Sequence, residues 1–181
     1  MIIICLAVNV NLFSFPPQKE QLSGLPVPTL QGIGSFYLPN TLTREYERIV
    51  LDPTKYTLLA FSSVGCPPCI RAIPMLKQIS EAAKGRMNVV YIALVSPRFI
   101  DDWNALLERE NIEWRSLWLR DSGLAYRWRV RFVPDYILVA PNGNGRAIRL
   151  FYQENAQELF SIIGVTPIRV SAPADMSERE R

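Results

Sequence analysis

Two cysteines, Cys66 and Cys69, stand three positions apart in the run Phe61-Ser62-Ser63-Val64-Gly65-Cys66-Pro67-Pro68-Cys69-Ile70-Arg71-Ala72-Ile73-Pro74. The apolar, β-prone stretch before them, residues 56–64, reads as a strand that delivers Cys66 to its end. Apolar side chains then recur at helical spacing, which puts Cys69 one turn into a helix. Two thiols at that separation can close a disulfide across the first helical turn, and the chemistry this allows is thiol–disulfide exchange. A helix start leaves N–H groups unpaired and its dipole favours negative charge. A thiol there ionises more readily than free cysteine, whose pKa is about 8.5. Cys66, on the N-terminal side, is expected to be the exposed nucleophile, and Cys69 the buried partner that resolves a mixed disulfide. Pro67 and Pro68 suit the first turn, where their missing N–H groups are not needed. They also remove two donors that could hold a thiolate, which leaves the Cys69 N–H as the nearest candidate.

Two other uses of the pair stand beside this one. A C-x-x-C can be half of a zinc site, but such sites want four Cys or His ligands. Three cysteines and no histidine cannot complete one within the chain. The pair can also be a purely structural disulfide, although so short a loop constrains little of the unfolded chain. The lack of histidine also excludes Ser-His-Asp and Cys-His hydrolytic chemistry. Proton transfer falls to carboxylates, thiols, lysine or water.

The elements that must hold the cysteines are legible from periodicity. Residues 67–84 read as the first long helix, with Cys69, Ile73, Leu76 and Ala83 near one face and Ile79 close by. Pro74 lies inside it and is expected to kink it, and Gly85 ends it. Residues 88–95 form a continuous apolar run of the kind seen in strands buried on both faces. A helix follows over 97–110, its inner stripe being Ile100, Trp103, Leu106 and Leu107. Residues 114–119 alternate as a strand, and Asp121 caps a short helix through Trp128. Residues 135–140 and 146–152 form a hairpin across an Asn-Gly-containing loop, and Asn155 opens a last helix that ends at Gly164. Upstream, Thr43 is expected to open a short helix that reaches Ile49-Val50 before Asp52-Pro53 breaks it. The alternation of strands and helices predicts an α/β domain with parallel strands.

The strand, the C-x-x-C and the proline-bearing helix together resemble the thioredoxin superfamily, and more closely the TlpA/ResA/DsbE-type thiol–disulfide oxidoreductases. Their C-x-x-C-[RK]-x-x-x-P helix is matched by Cys66, Cys69, Arg71 and Pro74, with Ile70 inserted before the basic residue. A second signature lies downstream at Tyr126-Arg127-Trp128-Arg129-Val130-Arg131-Phe132-Val133-Pro134, followed by Asp135-Tyr136-Ile137-Leu138-Val139. The resemblance spans roughly residues 55–164. It implies a thioredoxin-like fold, a central mixed β-sheet flanked by helices on both faces. It also implies a redox-active Cys66–Cys69 disulfide, a cis Pro134 facing the cysteines, and a Val133 backbone edge that aligns the partner. Gly65, Pro67 and Pro68 complete the implied docking surface. Three positions depart from the pattern. Gly65 replaces the usual aromatic residue and Ala60 replaces the buried acid that would accept the Cys69 proton. Asp135 stands where a threonine often follows the proline, and a carboxylate there would raise the pKa of a thiol it approached.

With 181 residues the chain fits one domain with extensions. Residues 24–165 are assigned to the thioredoxin-like domain, 1–23 to a signal or anchor with its linker, and 166–181 to a disordered tail. Residues 1–15 are apolar and uncharged, shorter than the ~20 residues of a membrane span. They resemble the apolar core of a secretory signal without its basic leader, so the chain is expected to be exported, periplasmic or membrane-anchored. An ordinary N-terminal strand in a cytoplasmic protein is the alternative. Cys5 lacks the preceding small residue of a lipoprotein signal. The net charge is +3, and the cluster Arg120, Arg127, Arg129 and Arg131 reads as a solvated face, not a nucleic-acid stripe. Function is expected to be disulfide exchange with protein thiols and disulfides by a monomer without cofactor or metal, reductive in direction, with electrons from a membrane donor. A thioredoxin-like binding module with a vestigial C-x-x-C is the alternative.

Overall fold

The computed structural model describes residues 29–30, 33, 35–120, 122–148 and 153–170. The N-terminal apolar run with Cys5, the Asp121 cap and the tail beyond Val170 lie outside these residues. The frame of the molecule is a six-stranded sheet. Strand β4 (Tyr56–Ser62) is paired in parallel with β5 (Met87–Ala93), which is paired in parallel with β6 (Arg115–Trp118). On its other side β4 pairs antiparallel with β7 (Asp135–Val139), which continues to β8 (Gly145–Ala147) and the short β1 (Thr29–Leu30), giving the order β1-β8-β7-β4-β5-β6. β4 and β5 are central and read as apolar runs because side chains on both of their faces are buried.

One face is covered by helices α1 (Pro67–Ala82), α2 (Ile100–Arg109) and α4 (Gln153–Ile163). Its core includes Leu58, Ala60, Ile73, Leu76, Ile79, Tyr91, Trp103 and Phe160. Trp103 is wholly buried, lies 4.8 Å from Tyr91 between ring centroids, and donates its Nε1–H to Ser116 Oγ at 2.9 Å. Burying each large apolar side chain of this kind contributes roughly 1.5–3 kcal/mol. The opposite face carries the hairpin β2 (Ser35–Pro39)–β3 (Tyr46–Val50) and the short helix α3 (Ser122–Arg127). Phe36, Ile49, Leu59, Phe61, Ile92 and Trp128 make up this second core. Trp128 meets Phe36 and Phe61 edge-on, at 5.0 and 5.9 Å. Among the described residues, helices therefore flank both faces, three on one and one on the other.

The helix expected from Thr43 to Val50 is instead a turn and a strand. Ile49 is buried while Tyr46, Arg48 and Val50 are exposed, a period of two that fits a half-covered strand. Asn40 Oδ1 accepts the Leu42 N–H at 2.8 Å and starts the turn, and Arg44 takes a positive φ of 65°. Five residues are too few for periodicity to separate helix from strand, and the aromatic and β-branched residues fit the pleated surface better. The expected elements at 67–84, 88–95, 97–110, 114–119 and 135–140 appear with ends shifted by no more than two residues; the first turn of the 97–110 helix is a 3-10 turn, Pro97–Phe99. After α4 the chain runs without regular structure to Val170, whose side chain is buried in the first core.

Candidate active site

Cys66 occupies the N-cap of α1 with an extended backbone, and Pro67 and Pro68 take the first two helical positions. Its sulfur is the cap acceptor: the Cys69 N–H points at Cys66 Sγ from 3.2 Å. With both prolines lacking an N–H, Cys69 offers the first donor the helix has, as the spacing predicted. The two sulfurs are bonded, with Cα atoms 5.2 Å apart. On reduction the same N–H would point at a thiolate, and a charge-assisted bond of this kind favours the ionised form.

From the other side of the site, Val133 O lies 3.6 Å from Cys66 Sγ, across 67 positions of sequence. A disulfide sulfur carries no hydrogen, so this is a contact in the oxidised protein; in the reduced one the carbonyl would accept from a thiol. The Val133–Pro134 peptide bond is cis. Pro134 is buried, Val133 is half-buried, and Phe132 beside them is 60% exposed. The structure thus brings together Cys66, Cys69, Val133 and Pro134, with Gly65, Pro67 and Pro68 exposed around them.

Cys66 itself is less open than expected. It retains 8% of its surface, against 1% for Cys69. The order of the two is as expected, but Cys66 lies in the floor of the exposed surface because its sulfur is bonded to Cys69 and packed on the Val133 carbonyl. Gly65 borders it in open space, since a Cβ built there meets nothing within 4 Å.

Beneath the site, register puts Ala60 of β4 between Tyr91 of β5 and Tyr136 of β7. All three are buried on the face that α1 covers. Burial pushes the Tyr91 phenol up to about 12, although its O–H donates to Ser62 Oγ at 2.9 Å. Burial also pushes Tyr136 far above the ordinary phenol range, with Tyr91 and Asp135 adding in the same direction. Both hydroxyls are therefore neutral near pH 7, and neither replaces the carboxylate missing at position 60. Asp135 is half-buried and its Oδ1 accepts the Tyr136 N–H at 2.9 Å. The Tyr91–Ser62 pair escaped sequence reasoning; a serine closing an otherwise apolar central strand was its only signal. A groove of about 390 Å³ at the carboxyl ends of β5 and β6 also went unforeseen; Val95, Leu119, Arg120 and Ala125 are among its walls.

Sheet order, cysteine pair and cis proline together define a thioredoxin-like fold. Solved structures agree. The thioredoxin domain of a thiol-disulfide oxidoreductase from Bacteroides vulgatus is 18% identical with a TM-score of 0.64, covering 76% of this chain and 99% of that one. A secreted Mycobacterium tuberculosis disulfide oxidoreductase, homologous to Escherichia coli DsbE, is 18% identical with a TM-score of 0.56 over 71% and 94%. A thiol:disulfide interchange protein from a Bacteroides species is 16% identical with a TM-score of 0.61 over 84% and 96%. No protein-family model and no curated protein matches the chain. The thioredoxin-like fold expected from the two motifs is thus borne out by structural neighbours whose own names describe thiol–disulfide oxidoreductases.

Proposed function

We propose that the protein is a thiol–disulfide oxidoreductase that exchanges disulfides with partner proteins through Cys66 and Cys69. The observation that carries this reading is the placement of the Cys66 sulfur at the α1 N-cap, 3.2 Å from the Cys69 N–H and 3.6 Å from Val133 O at the cis proline. In the reductive direction the Cys66 thiolate attacks a partner disulfide. One S–S bond forms to Cys66, the partner's bond breaks, and one partner thiolate leaves. The Cys69 thiolate then attacks Cys66 Sγ, which closes the intramolecular disulfide and releases the second partner thiolate. The partner gains two electrons and the protein loses two. Ala60 offers no proton acceptor for Cys69, so that proton goes to water or to the departing partner thiolate. The Val133 edge aligns the partner backbone in the manner of an added strand. The cysteines carry both electrons, so the reaction calls for no organic cofactor.

The reductive direction follows from the motif resemblance, as does regeneration by a membrane electron donor. Export or membrane anchoring follows from the apolar residues 1–15; among the described residues no helix is long and apolar enough to cross a membrane. The test is reduction of insulin or a model-peptide disulfide by the reduced protein. Cys66→Ser is expected to fall to the uncatalysed rate. Cys69→Ser is expected to stall as a mixed disulfide on Cys66, retaining its partner covalently. Variants that match wild type would end the proposal. A Cys66 thiolate absorbance that titrates at or above free cysteine would favour the binding-module reading, which the Ala60 substitution of the buried acid supports.

A further inference from the structure

The residues leading into the cis proline carry the protein's whole excess of positive charge. Residues 120–134 contain four of its 20 basic residues and one of its 17 acidic ones, so the rest of the chain is balanced and the net +3 belongs to this run. The fold turns these arginines outward. Trp128 and Val130 are buried at 8% and 7%, while Arg127, Arg129 and Arg131 between and beside them are exposed. The turn is pinned by the Arg129 N–H to Tyr126 O at 2.9 Å, by the Val130 N–H to Ala125 O at 3.0 Å, and by Trp128 wedged against Phe36 and Phe61. Four arginines elsewhere are paired with a carboxylate: Arg44 with Asp101, Arg109 with Glu110, Arg115 with Glu47 and Arg146 with Glu158. No described carboxylate lies within 4 Å of Arg127, Arg129 or Arg131. Two large side chains stand among them in solvent, Tyr126 at 84% and Phe132 at 60% exposure.

The position of this surface matters more than its charge. Arg131 is two residues from Val133, whose carbonyl touches the Cys66 sulfur. Extended chain spans at most ~3.3–3.6 Å per residue, so the Arg131 Cα is within ~7 Å of the docking edge. A segment lying along Val133 would pass the guanidinium groups and the Phe132 ring. Arg120 extends the basic surface; it stacks over Trp118 at 4.7 Å and lines the groove beyond. A solvated face alone explains neither the concentration of charge beside the disulfide nor the exposed aromatic rings.

Resting on the exchange reading, we propose that this surface selects partner segments that carry Asp or Glu beside an apolar residue next to the exchanging cysteine. Charge complementarity of this kind acts mainly on encounter rate and is screened by salt. The test uses the reduced full chain and two peptide disulfides of one design, with Glu or with Lys on both sides of the same Phe-Cys pair. The glutamate peptide is expected to react about tenfold faster at low ionic strength, the ratio falling towards one in high salt. Arg127→Glu/Arg131→Glu is expected to invert the preference, and Arg127→Gln/Arg131→Gln to leave an intermediate ratio. Equal rates for the two peptides in the wild type at low salt would overturn this proposal while leaving the exchange reading intact. No reaction with either peptide or with insulin would overturn both. Anionic vesicles that bind the wild type but not the glutamate variant, with a peptide ratio of one, would assign the surface to a membrane instead.

Discussion

On the inner side of the disulfide, Ala60, Tyr91 and Tyr136 form a row with at most 1% of any side chain exposed, sealed under α1. On the outer side, Gly65, Pro67, Pro68 and Phe132 are exposed, and a side chain added at Gly65 meets nothing. The two sides lie a few residues apart in sequence, yet they obey different constraints. Inside, close packing leaves little room for volume or charge, and the polar groups of this row are two neutral phenols and the Ser62 hydroxyl that Tyr91 meets. Outside, a side chain added at Gly65 meets nothing within 4 Å, so that position is not constrained by packing. Cys69 belongs to the first environment and Cys66 to the boundary between them.

Changes that challenge the inner side should cost most. Ala60→Asp places a carboxylate in a fully buried slot flanked by two phenols. It is expected to lower stability by about 3 kcal/mol or more, read from the denaturant midpoint. A loss below about 1 kcal/mol would mean that the row is not sealed. Tyr91→Phe is the milder probe. It removes the bond to Ser62 Oγ and is expected to cost about 1–2 kcal/mol at neutral pH. It also carries a pH signature. The Tyr91 phenol is raised from 10 to about 12 by burial, so its contribution is complete below pH 10 and is lost as pH rises towards 12. The variant should therefore lose stability less steeply over that alkaline window. An unchanged slope would place the Tyr91 hydroxyl in water. Outside, Gly65→Trp restores the aromatic residue usual in proteins with this motif. Stability is expected to stay within about 0.5 kcal/mol of wild type, and a larger loss would show that the outer side is packed after all.

The site was legible in unequal parts. The cysteine pair, its strand and its helix are local, and their spacing and periodicity state their geometry. The strong apolar runs at 88–95 and the Trp103 stripe are similarly plain. Pro134 was reached by resemblance to a known motif, because nothing in spacing alone says that a proline 65 positions beyond Cys69 will sit against the sulfur. The 43–50 segment was misread, since its alternation became meaningful only once a second strand, β2, lay beside it.

What the amino-acid order determined by itself is what a turn or two of chain can settle: a sulfur at a helix N-cap, two prolines that strip its first donors, and a Cys69 N–H left to meet it. Only the tertiary structure decided that Val133 approaches that sulfur and that Ala60 lies between two tyrosines. It also decided that Cys66 is nearly covered and that Arg127, Arg129 and Arg131 face outward just before Val133. The reason is physical. Helix entry and hydrogen-bond donors are set by neighbouring dihedrals, whereas contacts across 67 residues depend on strand register and on which core each helix and hairpin fills.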